Sequence, residues 1–304
     1  MDRTLLTPKV AIIPITYRCN AKCVMCHIWK EESKNELQLH EIIKCLKDPL
    51  IADNLESVNL TGGEPFLRSD LVEIVAGVLN ECKKLTSITI NTNGFLTDTI
   101  VAKVSELCKL QKEIKPYELR LFLSLDGMND MHDQIRGISG SFTKIMNTLK
   151  ALKEIQKELP FEFSINFTIN PQNYKHMKLV HEIVTNMGIG IDFTYSMSSS
   201  IYFQINDTMT EIDATGKEFI CATIVDCLKG GNLTSSRSYY KNLIQMIKGN
   251  QRKVGCIFSD RGFFLHPSGM VYRCWAFDQE IGNIYESSFT EIWNSKSAID
   301  SLIG

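Results

Sequence analysis

Several things are missing from this sequence, and each absence removes a class of function. No apolar run approaches the roughly 18 residues needed to cross a bilayer, so a membrane-embedded protein is not expected. No basic block stands out either: 33 Lys and Arg against 35 Asp and Glu leave a net charge of −2, without the electrostatic footprint of a nucleic-acid binder. No charged-then-apolar leader opens the chain, and ten cysteines in 304 residues are too sparse for a secreted scaffold built on disulfides. Reduced thiols and a cytoplasmic location are therefore expected. What remains, 44% hydrophobic and 22% charged, suits a globular chain of 304 residues with one large core or a large and a small one.

The few cysteines are not evenly spread. In "TYRCNAKCVMCHIW", Cys19, Cys23 and Cys26 are separated by three and then two residues, just after the apolar run "KVAIIPIT". A structural zinc site would want four ligands, usually in two separated pairs, and His27 is adjacent to Cys26, where two side chains rarely converge on one ion. Three soft anionic sulfurs in one loop suit an iron–sulfur cluster, with one iron left for a non-protein ligand.

Around this loop, β-rich runs alternate with amphipathic ones. Strands are expected at Val10–Thr16, Ser57–Thr61, Ser87–Asn91, Glu118–Leu125, Phe161–Ile169 and Ile189–Ser196, with helices over Leu37–Lys47, Asp70–Lys83, Thr97–Lys112, Phe142–Leu159 and Tyr174–Met187. Six βα units in series predict an α/β fold with a parallel sheet and right-handed crossovers, either open and doubly wound or part of a barrel. At the end of the second strand, "LTGGEPFLR" offers Gly62 and Gly63, which free the backbone for close approach, and the Glu64 carboxylate, suited to an ammonium. On the fifth strand, Asn166, Thr168 and Asn170 share one face, opposite Ile165, Phe167 and Ile169.

The Cys-x3-Cys-x2-Cys loop after the first strand, followed one unit later by Gly-Gly-Glu, resembles the signature of the radical S-adenosylmethionine superfamily. The resemblance implies a partial (β/α)6 TIM-like barrel with its site at the C-terminal ends of the strands. It implies a 4Fe-4S cluster on Cys19, Cys23 and Cys26, with S-adenosyl-L-methionine chelating the open iron. Gly62, Gly63 and Glu64 would meet the methionine amino group. Asn93 in "NTNG", Ser124 and Asp126 in "LSLDG", and Asn166 and Thr168 would line the cofactor pocket, and Arg136 would pair with the methionine carboxylate. The family often has an aromatic residue where Met25 stands; Met is an adaptable apolar substitute there.

Further on, "GCIFSDRGFFLHPSGMVYRCW" reads as a hairpin turning at Pro267, Ser268 and Gly269, with Cys256 and Cys274 near its base. With "IGNIYESSFTEIW" behind it, this resembles the opening of a SPASM or twitch extension that carries auxiliary iron–sulfur clusters. The expected division is a barrel over 1–205 and a small α+β extension over 206–304. The further cysteines usual in that extension are not present, and two thiolates do not saturate a cubane. Four readings follow: no auxiliary cluster, a cluster completed by another residue or by substrate, a natural chain longer than this one, or a hydrogen-atom donor thiol at Cys256 or Cys274. The other five cysteines fall in helical patterns and read as small buried hydrophobes. Reductive cleavage of S-adenosylmethionine, fed by an electron donor such as flavodoxin or ferredoxin, and hydrogen abstraction from a substrate carbon are the implied chemistry. A peptide substrate is expected, with dehydrogenation of a sugar-like alcohol and a non-catalytic zinc- or cluster-binding module as alternatives.

Overall fold

A computed structural model describes residues 6–31, 36–203 and 211–301. Six parallel strands, β1 (Val10–Thr16), β2 (Ser57–Gly62), β3 (Ser87–Thr92), β4 (Glu118–Ser124), β5 (Glu162–Ile169) and β6 (Gly190–Tyr195), pair in sequence order. The connecting helices are α1 (Leu39–Leu46), α2 (Pro49–Ala52), α3 (Leu71–Glu81), α4 (Thr97–Glu113), α5 (Asp130–Arg136), α6 (Ser141–Ile155) and α7 (Met177–Asn186). The expected βα series is therefore present, and the sheet does not close on itself.

Side-chain alternation explains the two faces. Residues such as Val58 and Leu60 on β2, Ile88 and Ile90 on β3, and Ile165, Phe167 and Ile169 on β5 are fully buried in the main core. The intervening positions, Asn59 and Thr61, Asn91, and Asn166 and Thr168, line a cavity on the inner face. A sheet that is apolar outside and polar inside is thus written into the period-2 pattern of β2, β3 and β5, while β1 and β4 add the apolar Ile12 and Phe122 to the cavity wall.

After β6, residues 196–203 reach back across the open side of the sheet. The Ser199 hydroxyl donates to the Trp275 carbonyl at 2.6 Å, and the His27 amide donates to the Phe203 carbonyl at 2.8 Å. Then come α8 (Ala214–Gly230) and α9 (Arg237–Ile247). The turn between them covers the outer edge of β6: the Ile191 amide donates to Asn232, the Thr234 amide donates to Ile191, and the Asp192 carboxylate accepts from the Ser235 amide and the Tyr240 hydroxyl.

The final segment departs most from expectation. The hairpin is there, as β7 (Gly262–Leu265) and β8 (Met270–Tyr272), followed by β9 (Glu280–Asn283), α10 (Phe289–Trp293) and α11 (Lys296–Asp300). β7 pairs in parallel with β1, Val10 beside Gly262, and extends one sheet to nine strands in the order β6-β5-β4-β3-β2-β1-β7-β8-β9. Phe263 and Leu265 are buried with the core of the first strands, which drives the docking. Asp48 secures it: its carboxylate caps Leu50 at the start of α2 and also takes the amide and hydroxyl of Thr290 at 2.9 and 2.6 Å. Among the described residues no helix is long and apolar enough to cross a membrane.

Candidate active site

The three clustered cysteines follow β1 and stand at one end of a cavity of about 320 Å³. All ten cysteines are free thiols. Cys19, Cys23 and Cys26 pack with Ala21, Met25, Phe95 and Ile135 in a small apolar cluster of their own. Burial pushes the Cys19 thiol up to about 11 and the Cys26 thiol up to about 12, and raises Cys23 as well. Loading such a site means displacing three protons, a cost that the positive charge of bound iron offsets. Among the described residues, no three His, Cys, Asp or Glu side chains converge as ligands of a single ion. A polynuclear cluster takes one thiolate per iron and needs no shared point.

The loop's backbone is fixed from two sides. The Gly63 and Glu64 amides donate to the Thr16 and Arg18 carbonyls at 2.7 and 2.9 Å, and the Lys22 and Val24 amides donate to Arg136 and Ile135 at 2.9 and 3.0 Å. A Cβ on Gly62 would lie 2.0 Å from the Thr16 oxygen, and one on Gly63 would lie 2.2 Å from the Arg18 oxygen. The glycines therefore let the strand end touch the cysteine loop, a close approach between two stretches of backbone rather than to a ligand alone.

Of the predicted residues, Gly62, Gly63, Asn93, Ser124, Arg136, Asn166 and Thr168 line this cavity together with the three cysteines and Met25. Asn91 does too, whereas Asn170, beyond the end of β5, takes up a turn in which its side-chain oxygen accepts from the Gln172 amide. Glu64 is fully buried and does not line the cavity. Its carboxylate accepts from the Phe66 amide at 3.1 Å, the Thr92 hydroxyl at 2.8 Å and the Asn93 amide at 2.7 Å. Burial pushes its pKa up to about 7 in spite of those donors. Glu64 thus ties the end of β2 to the end of β3, and Asn93 carries the tie onward by donating to the Asn20 side chain at 2.6 Å.

Asp126 and Arg136 are paired with each other. Ser124, the last residue of β4, faces the cavity, but Asp126 lies past the strand and is fully buried behind it. One Asp126 oxygen accepts from the Thr168 amide at 2.6 Å and the other pairs with Arg136 Nη2. Arg136 Nη1 donates to the Cys23 sulfur at 3.5 Å. Both forks of the guanidinium are therefore engaged, and Nε is left buried without a hydrogen-bond partner.

Sequence reasoning missed part of the wall. Trp29, Asn59, Ser196, Tyr202, Phe203 and Trp275 all line the cavity, and the Trp29 Nε1, Asn59 Oδ1 and Ser196 Oγ atoms are buried with no partner. Strand alternation places Asn59 beside Thr61 on the inner face; nothing periodic in "SMSSSIYF" marks residues 196–203. Cys256 and Cys274 are not among the lining residues, although Trp275 is. They lie close enough together for the charge of Cys256 to raise Cys274, after burial has done most of that.

The residues present fit a cluster and a polar cofactor: three soft thiolates in an apolar pocket, with orphaned donors and acceptors at Arg136, Asn59 and Ser196 along the adjoining wall.

Comparison with known proteins agrees. The profile of the Radical SAM superfamily matches residues 13–183, and that of an iron-sulfur cluster-binding domain, SPASM, matches residues 256–303. The antilisterial bacteriocin subtilosin biosynthesis protein AlbA of Bacillus subtilis is 25% identical over 311 residues, covering 95% of this chain and 60% of AlbA. Among solved structures, anSMEcpe with bound AdoMet superposes with a TM-score of 0.73 at 19% identity, covering 97% of this chain and 83% of that one. Streptococcus suis SuiB bound to its precursor peptide SuiA gives 0.70 at 17% identity, covering 97% and 67%. The chain spans 40, 60 and 62% of the length of three curated relatives that it matches.

Proposed function

The chain belongs to the radical S-adenosylmethionine superfamily, and on that premise we propose that it modifies a peptide at a carbon within the cavity, with Cys19, Cys23 and Cys26 as ligands of the 4Fe-4S cluster. One observation carries the reading: three free, buried or half-buried thiols open onto a cavity whose wall bears unpartnered polar atoms. When bound, the cluster supplies an electron and S-adenosylmethionine the group that takes a hydrogen atom from the substrate. The chain's own part is to bind and orient. Ser124, Asn166 and Thr168 offer hydroxyl and amide groups along the wall, Arg136 offers Nε, and Met25 offers an apolar surface. Glu64 and Asp126 act through Asn93 and Arg136 rather than at the cofactor. Tyr202, Phe203 and Trp275 line the cavity beside β1 and the cysteine loop, packed with Ile12, Tyr17 and Cys26, and keep water from the reacting carbon.

A peptide substrate is supported by the likeness to a bacteriocin biosynthesis protein and to an enzyme caught with a precursor peptide. Among the described lining residues the ionisable groups are the three thiols, Arg136 and two tyrosines, so no carboxylate, imidazole or ammonium stands ready to take the proton of an alcohol, which weighs against alcohol dehydrogenation. An acidic electron carrier such as flavodoxin or ferredoxin, in a reducing cytoplasm, completes the proposal. The test is anaerobic reconstitution followed by assay for 5′-deoxyadenosine, alone and with peptides encoded by short reading frames beside the gene. Cys19, Cys23 and Cys26 replaced together by Ala should lose the cluster's absorbance and all 5′-deoxyadenosine. Unchanged iron in that variant, or product formed from a sugar-like alcohol and from no peptide, would refute the respective part.

A further inference from the structure

We propose that Arg136, held in place by Asp126, sets the reduction potential of the cluster through the Cys23 sulfur; this rests on the cluster assignment above. Arg136 is almost wholly buried, and its Nη1 donates to Cys23 Sγ at 3.5 Å. The other two cysteines have neutral partners: the Ala21 backbone amide lies 3.4 Å and the Asn93 side-chain nitrogen 4.0 Å from Cys19 Sγ, and Cys26 has a backbone hydrogen bond at Ile28. The Arg136 charge is felt by all three thiols, and Cys23 is the one to which it also donates a hydrogen bond.

The guanidinium has little freedom to leave it. Arg136 Nη2 pairs with Asp126, whose other oxygen is fixed by the Thr168 amide, whose backbone amide donates to His132 Nδ1 at 3.1 Å, and whose carbonyl accepts from Asn173 at 3.0 Å. The Arg136 carbonyl itself takes the Lys22 amide, so the same residue registers the loop backbone and charges one of its sulfurs. Reduction adds an electron to a cluster that already carries three thiolates. A fixed cation and a hydrogen bond at one sulfur, in a dry wall, stabilise the reduced form and raise the potential. Asp126 both aims the cation and partly cancels it. Arg136 is in this respect a tuning residue and Asp126 a positioning residue, a division of labour different from a carboxylate clamp on S-adenosylmethionine.

The test is a potentiometric titration of the reconstituted protein, followed by electron paramagnetic resonance and carried out without S-adenosylmethionine, so that any effect of Arg136 on cofactor binding does not enter. Arg136→Gln keeps a donor and removes the charge. At a given poise its ratio of reduced to oxidised cluster should fall about tenfold, a downward shift of 59 mV for a one-electron couple. Arg136→Lys, which keeps the charge, should return the midpoint toward that of the wild type. Full iron with an unshifted midpoint in Arg136→Gln would overturn the proposal, as would a midpoint in Arg136→Lys as low as in Arg136→Gln. Should Arg136→Gln assemble no cluster, Asp126→Asn decides instead: loss of the counter-charge should raise the midpoint, and an unchanged or lower value counts against the idea. Absence of a cluster from the wild-type protein is a different failure, that of the cluster assignment itself.

Discussion

The Tyr202 hydroxyl lies 2.8 Å from the Thr61 hydroxyl, joining the segment that follows β6 to the inner face of β2. Thr61 also accepts from Asn91 at 3.1 Å, so the bond links three elements of the wall. Tyr202→Phe should lower stability by about 1 kcal/mol, the net worth of one buried hydrogen bond. Cluster content should be unchanged, because no cysteine depends on that bond. Chemical denaturation and iron analysis check the two halves separately; iron lost along with stability would mean that residues 196–203 hold the cysteine loop as well.

Gly63→Ala should be far more damaging than its size suggests. The new Cβ would sit 2.2 Å from the Arg18 oxygen and 2.9 Å from the Tyr17 oxygen, both backbone, so the loop has to move. We expect a loss of roughly 2–3 kcal/mol, typical of an overpacked site, and reduced iron per chain after reconstitution. Gly255→Ala, where nothing lies within 4 Å, is the control and should be neutral. Equal behaviour of the two variants would remove the steric account of the Gly-Gly pair.

Much of this was legible in the sequence, for a definite reason. Strand alternation and the caps of helices are local, so β1 to β6 stand close to where the pattern places them, and Asn166 and Thr168 turn inward as their period requires. The cysteine loop declares itself by its spacing together with the Gly-Gly-Glu one unit later. What the sequence does not display is how far a side chain is already committed. Glu64 reads as a free carboxylate at a strand end, yet three donors claim it; Arg136 reads as a fork for a ligand, yet Asp126 and Cys23 take both arms. The pairing of β7 with β1 is equally hidden, since no local pattern near Gly262 names a partner at Val10.

His132 supplies a pH test. Burial, with the nearby Arg136 charge, drives its pKa down to about 3, so it is neutral in the fold at pH 7 while its Nδ1 accepts from Asp126. In the unfolded chain the value is about 6.5. The unfolded state therefore binds more protons between these values, and stability rises with pH across the window. The contribution should be complete above about pH 6.5 and lost as pH falls toward 3, on the order of a few kcal/mol. His132→Asn keeps an acceptor that does not titrate, and should flatten this part of the profile. Parallel curves for the two proteins in that range would show that His132 does not carry it.

The hypothesis for the paired cysteines beyond the barrel is that they serve the substrate side. Cys256→Ala/Cys274→Ala should leave the loop cluster and S-adenosylmethionine cleavage intact while productive turnover fails. A loss of about four irons per chain would identify an auxiliary cluster at this pair. Full iron with failed turnover would favour a thiol donor, and would require movement, since neither residue lines the cavity. Unchanged turnover together with unchanged iron would deny the pair a role.

The place of β7 beside β1 has a consequence for how the protein is made. Val10–Thr16 leaves a ribosome long before Gly262–Leu265 does, yet they are neighbours in the finished sheet. Throughout synthesis the nascent first strand carries one unpaired edge, the kind of surface that recruits stray strands. Their pairing closes a very long loop, so it is a slow event by topology. The cysteine loop hangs from the end of that same strand. Delivery of iron and sulfide to the apoprotein therefore meets a finished binding pocket only after Gly262–Leu265 has been made, and a chaperone shielding the waiting edge would also be guarding the site of metal loading.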